Sequence, residues 1–193
     1  DSIDPFFPRW WPERLRDIPH DWNTLAGRQH VKPRGIFLDD MSDWMGPWWP
    51  EEWTRQEIQA MIDNPQHRFY TLTKWPQNLI KFSPFPPNCW VGQTITSQTE
   101  ADRTFNDFAK VEASIKYVSL EPLLGRIDIT PYLKGWVNAG TIFENPEGVE
   151  RYDIDGALVN HIDWVIIGAQ TRPTVFPKIE WVQERVWIYY LEN

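Results

Sequence analysis

The chain has 193 residues, 41% hydrophobic and 15% aromatic, a composition that supports a packed globular core and excludes a disordered chain. A formal charge of -8 disfavours sequence-independent gripping of nucleic acid, which needs clustered Lys and Arg. The single cysteine, Cys89, excludes an intrachain disulfide framework and a cysteine-only metal site; with no apolar run of membrane-spanning length and no signal-peptide layout, the expected location is cytoplasmic.

Residues 1–33 are rich in proline and aromatics without a period and read as a covering segment, with a short turn over 12–16. The thirteen tryptophans, several paired or beside proline as in Trp10-Trp11-Pro12, Trp48-Trp49-Pro50 and Trp75-Pro76, are expected mostly in core and ledge packing rather than ligand stacking. The first strand is predicted over 35–38. A helix follows from about Pro50, because proline at a first helical position and Glu51 and Glu52 in the first turn suit the free amides and the positive end of the dipole. Trp53, Ile58, Met61 and Ile62 are expected on its buried side.

The second strand is predicted over 69–73, followed by a short helix over 76–82 and a proline-rich link, SPFPPN, that cannot be regular structure. A third strand over 89–95 leads into Ser97-Gln98-Thr99-Glu100, a capping box: Ser97 accepts from the Glu100 amide while the carboxylate reaches back. Ala101, Phe105 and Phe108 form the inward stripe of the helix it opens. The fourth strand is predicted over 115–120. Residues 125–161 are long and turn-rich for a connection and read as an insertion or lid. A fifth strand over 164–167 precedes a last helix from Ile179, with Ile179, Val182, Val186 and Tyr189 in register.

Short apolar runs that end in polar clusters and alternate with helical patterns predict an α/β fold. The expectation is a single domain, a parallel-stranded partial (TIM-like) barrel of about five βα units whose carboxyl edge gathers the strand-end side chains into one pocket. Asp39, Asp40, Ser42 and Asp43 lie just past the first strand. Carboxylates this close suit a hard cation, an amino group or an acid–base pair; helix capping and turn solvation are the alternative. Lys74, after Thr73 at the second strand's end, suits a ligand carboxylate or phosphate, though a lone lysine is more often surface. Gln93 falls on one face of the third strand, and Thr94 and Thr96 on the other.

In VSLEPLLG, Glu121 stands between packed apolar residues and Pro122, after Ser119. It is expected to be buried and to need a partner, either Arg126 or Lys74 in a structural role or a ligand or proton in a functional one. Gly168, Ala169 and Gln170 close the fifth strand with small residues that permit close approach of a ligand. His20, His30, His67 and His161 lack metal-ligand spacing, and neither a P-loop nor a dinucleotide fingerprint is present.

The ordered set KPRGIFLDDMSDWMGPW, PQHRFYTLTKWPQNL, NCWVGQTITSQTEADR, IKYVSLEPLLGRIDI and IDWVIIGAQTRP resembles a bacterial and phage family of uncharacterised proteins related to radical S-adenosylmethionine enzymes, across residues 9–185. The resemblance implies a partial parallel barrel in which an iron-sulfur cluster binds S-adenosylmethionine at the strands' carboxyl ends. It further implies Asp39, Ser42 and Asp43 near the methionine amino group or the substrate, Thr73 and Lys74 beside them, Thr94 and Thr96 near ribose or carboxylate, and Ser119 with Glu121 opposite. Glu121 and Lys74 would be catalytic, with Gln170 among the cofactor contacts.

The chain departs from that family at the cysteine-rich segment that supplies three thiolates, which has no counterpart here. It also departs at Gly168-Ala169-Gln170-Thr171, where relatives tend to carry Gly-Gly-Glu-Ser, and at the strand that usually follows the last helix. The expectation is an internal piece or a degenerate member that does not hold the cluster. Its substrate is unspecified, with a nucleotide or nucleic acid as the expected class. A non-catalytic nucleotide- or protein-binding module is the second reading. A metal-dependent hydrolase working through Asp39, Asp40 and Asp43 is the third.

Overall fold

The computed structural model describes residues 9–19, 32–39, 42–129, 132, 162–171, 173–178 and 181. The expected last helix, nearly all of the 125–161 insertion and much of the covering segment therefore lie outside the described residues. Five of the strands form one sheet: β1 (Gly35–Phe37), β2 (Arg68–Thr73), β3 (Cys89–Thr94), β4 (Ile115–Leu120) and β5 (Trp164–Ile167). Their order follows the chain, β1-β2-β3-β4-β5, and β1/β2, β2/β3 and β4/β5 pair in parallel. Sequential parallel order is what repeated βα units produce; a doubly wound sheet reverses order part-way across. The chain is thus mixed α/β, as its patterning predicts. A second, two-stranded antiparallel ribbon, β6 (Gln170–Thr171) with β7 (Thr174–Val175), was not legible in the sequence.

Two compact units divide the chain, residues 1–93 with 111–115, and 94–110 with 116–193. In the first, α1 (Glu51–Asp63) starts one residue later than expected, with Pro50 at the N-cap and Glu51 and Glu52 in the first turn. The helix is also rotated from the expected stripe. Thr54, Glu57 and Met61 are buried, whereas Ile62 is 52% exposed. The cause is Trp53, which stacks on Trp10 at 5.6 Å and meets Trp49 edge-on at 5.2 Å, so the aromatic residues hold the helix's flank instead of its core face. Phe69, Thr71 and Thr73 of β2 are buried, and Arg68 and Tyr70 alternate to the more open face. Residues 76–82 form two 3₁₀ turns, Pro76–Asn78 and Ile80–Phe82, instead of one helix.

The second unit packs α2 (Gln98–Ala109) through Ala101, Thr104, Phe105 and Phe108, which includes the predicted stripe. Phe105 stacks on Tyr132 at 3.9 Å. Residues 116–120 of β4 are buried throughout, as expected of an inner parallel strand. Ser97 caps α2 by accepting from the Glu100 amide at 3.2 Å, but Glu100 reaches one residue further back than a capping box requires, accepting from the Thr96 amide at 2.8 Å and hydroxyl at 3.0 Å. No helix among the described residues is long and apolar enough to cross a membrane.

Candidate functional site

In the first unit the turn after β1 and the end of β2 are joined through one carboxylate. Asp43 Oδ1 accepts from the Thr73 hydroxyl at 2.5 Å and from the Met45 amide at 3.2 Å, and Oδ2 accepts from the Lys74 amide at 2.8 Å. Thr73 Oγ1 in turn accepts from the Trp75 amide at 2.9 Å. Two expected contacts, Asp43 and Thr73, are therefore brought together, and their polar atoms are engaged with each other and with the backbone. Ser42 is exposed and its amide donates to the Asp39 carbonyl at 3.0 Å. The Lys74 side chain is exposed. Asp40 lies outside the described residues.

Asp39 has a left-handed backbone, φ 54°, which non-glycine residues seldom adopt outside tight turns. Its charge acts on Glu57 of α1, which the sequence did not single out. Burial first, then the Asp39 charge, pushes the Glu57 carboxyl up to about 9. The signal was present in the helical period: Glu57 follows Thr54 by three residues and precedes Met61 by four.

In the second unit the polar ends of β4 and β5 meet at a corner. The Gly168 amide donates to the Leu120 carbonyl at 3.2 Å, and the Gly168 carbonyl accepts from the Leu123 amide at 2.9 Å. Glu121 lies between those anchors, followed by a cis bond to Pro122. Its side chain crosses directly over Gly168, where a Cβ would collide with Cγ, Cδ and Oε1. The expected burial of Glu121 is corrected by its exposure: the strand ends at Leu120, and the missing side chain at residue 168 lets the glutamate turn outward. Among the described residues no ion pair joins Glu121 to Arg126.

Ser119 is buried and its carbonyl accepts from the Ile95 amide at 2.9 Å. Thr94 is buried, the Thr96 hydroxyl donates to Glu100, and Gln170 is half-buried at the start of β6. These residues are distributed over strand ends in one unit; Asp39, Ser42, Asp43, Thr73 and Lys74 are distributed over strand ends in the other.

A model of a family described as a protein of unknown function, DUF5131, matches residues 7–185. The chain belongs to the DUF5131 family. No curated protein and no solved structure matches it. The cysteine content of this DUF5131 chain does not suit an iron-sulfur cluster. Its one cysteine, Cys89, is fully buried in β3, and burial, opposed in part by a Thr71 hydrogen bond, pushes the thiol up to about 12. Such a group is a small core hydrophobe, not a thiolate ligand. Among the described residues no three His, Cys, Asp or Glu side chains gather as a metal site. Asp43, whose two oxygens already accept three hydrogen bonds, offers little to a cation.

Proposed function

We propose that this chain is the βα body of a radical S-adenosylmethionine-like protein of the cytoplasm, and that it binds the nucleoside part of that cofactor, or a nucleotide, at the carboxyl ends of its strands without holding an iron-sulfur cluster. The observation that carries the reading is Glu121. An exposed carboxylate, set at a strand end and steadied by the Gly168 backbone on both sides, has free acceptor sites for the two hydroxyls of a ribose. Acidic residues near strand ends serve dinucleotide-binding folds in this way. Gly168 supports the same reading by leaving the Glu121 side chain room to lie across it. The sequential parallel strand order supports the barrel-type body. In complete proteins of this type the cofactor supplies a substrate radical on reductive cleavage. The substrate we propose there is a nucleotide or nucleic acid, with the charge of -8 favouring the smaller molecule.

Isothermal titration of the iron-free chain with S-adenosylmethionine, S-adenosylhomocysteine, adenosine and AMP tests the proposal. Saturable binding of at least one, weakened about tenfold or more by Glu121→Gln, is expected, since a hydrogen bond to a charged group contributes roughly 1.5–3 kcal/mol. Absence of binding at millimolar ligand, or binding that Glu121→Gln leaves unchanged, overturns it.

A further inference from the structure

Across β1, β2 and β3 the paired residues Gly35 and Arg68, Phe37 and Tyr70, and Tyr70 and Trp90 stand on one face of the sheet, opposite the buried Phe69 and Thr71. The Arg68 guanidinium lies over the Trp90 ring, 4.2 Å from its centroid, and its Nη1 donates to the Tyr70 hydroxyl at 3.4 Å. Tyr70 meets Trp90 edge-on at 5.4 Å. Gly35 makes this arrangement possible, since a Cβ there would stand 2.9 Å from the Tyr70 ring. Arg68 is exposed, Phe37 is 47% exposed, and Tyr70 and Trp90 are half-buried, so the rings and the guanidinium form an open platform.

Two further cations, Lys32 and Arg34, are exposed just before β1. The Arg34 backbone is held beside Arg68: its carbonyl accepts from the Arg68 amide at 2.9 Å, and its amide donates to His67 Nδ1 at 3.2 Å. Among the described residues no carboxylate forms an ion pair with Lys32, Arg34 or Arg68. Residues 32–38, 64–73 and 86–93, which build this part of the sheet, contain no Asp or Glu, although the chain has 27 of them. The platform is therefore a local basic strip in an acidic molecule, and within a Debye length of about 10 Å the local charge outweighs the distant ones.

We propose that this platform binds a short stretch of single-stranded nucleic acid, with bases stacked on Phe37 and on the Arg68–Trp90 pair and phosphates at Lys32, Arg34 and Arg68. Aromatic rings and a guanidinium plane suit bases whose faces are open, as they are in a single strand and not in a duplex. An acidic peptide would satisfy the cations and leave the rings without a partner. The site needs neither Glu121 nor the cofactor, so failure of the nucleoside titrations leaves it standing, and its own failure leaves them standing.

Fluorescence anisotropy of a labelled oligothymidylate of about eight nucleotides, titrated with the full chain, tests the proposal. Saturable binding is expected, with an affinity that falls roughly 10- to 20-fold between about 50 and 200 mM salt, the dependence for three phosphates of a single strand. Arg68→Gln should weaken binding and flatten the slope of log affinity on log salt by about 0.7. Phe37→Ala should weaken binding about fivefold or more and leave the slope unchanged, because it removes a stacking surface and no charge. Both positions are exposed, and far-UV ellipticity equal to that of the wild type verifies that the variants fold. Absence of saturable binding at about 50 mM salt, wild-type affinity in either variant, or equal affinity for inorganic polyphosphate, which has charge and no rings, overturns the proposal. Should Arg68→Gln not fold, Phe37→Ala and the polyphosphate comparison decide.

Discussion

At the scale of single residues, Asp43 shows how a candidate ligand becomes a brace. Its carboxylate takes donors from Thr73, Lys74 and Met45, so replacement by alanine strands part-buried donors while adding no compensating contact. Asp43→Ala is expected to cost about 2–3 kcal/mol, and Thr73→Val about 1–2 kcal/mol because it also deprives the Trp75 amide of its acceptor. The double variant should cost less than the sum by about 1 kcal/mol or more, since either change alone removes the shared bond. Urea unfolding of the four proteins checks this, and additivity within about 0.3 kcal/mol would show that the bond contributes nothing. Both residues were singled out in the sequence as polar groups at or past strand ends, but their mutual engagement was not legible, because the partners stand 30 positions apart. Glu121 went the other way. Flanking apolar residues suggested burial, and only the empty side-chain position at Gly168 accounts for its outward turn.

At the scale of elements, helix starts were legible and helix ends were not. Ser97 caps α2 as its local pattern predicts, and Ser97→Ala should cost about 1 kcal/mol. The carboxyl ends are closed by residues from elsewhere in the chain. Asn88 donates to the carbonyls of Met61, Asn64 and His67 at 2.9, 3.2 and 3.2 Å, closing α1 and the turn behind it. Lys116, buried on β4, donates to the Phe108 and Ala109 carbonyls at 3.2 and 3.3 Å, setting a cation at the negative end of α2. A periodicity of 3.6 describes a helix's face and says nothing about what arrives at its end. Asn88→Ala is therefore expected to destabilise by about 1–3 kcal/mol, and Asn88→Asp by no less, because a carboxylate cannot donate and faces the negative helix terminus. The amide of Asn64, which donates to the Met61 carbonyl, is the reporter. Its hydrogen exchange should accelerate in both variants, and protection equal to wild type would remove Asn88 from the capping role.

At the scale of the whole molecule, five apolar runs match the five strands of the sheet in chain order, and the continuous apolar signature is strongest in β3 and β4, the strands buried nearly throughout. The same burial decides the fate of the chain's only thiol. Cys89 pairs with Phe69 in the β2/β3 ladder and is sealed there, so neither ligand nor reagent reaches it without separating strands. With the thiol pushed up to about 12, the native thiolate fraction at pH 8 is on the order of 10⁻⁴, which closes the chemical route as well as the steric one. Labelling by an aromatic disulfide reagent at pH 8 should thus follow opening of the sheet. The expected rate is slower than in denaturant by a factor on the order of 10³ or more, and its dependence on urea should track loss of far-UV ellipticity. Anaerobic incubation with ferrous iron and sulfide should leave no thiolate-to-iron absorbance, because a cluster needs several thiolates and this one is held protonated inside a strand pair. Rapid native labelling would mean that β2 and β3 separate under native conditions, and the argument against cluster ligation by this thiol would lose its steric half.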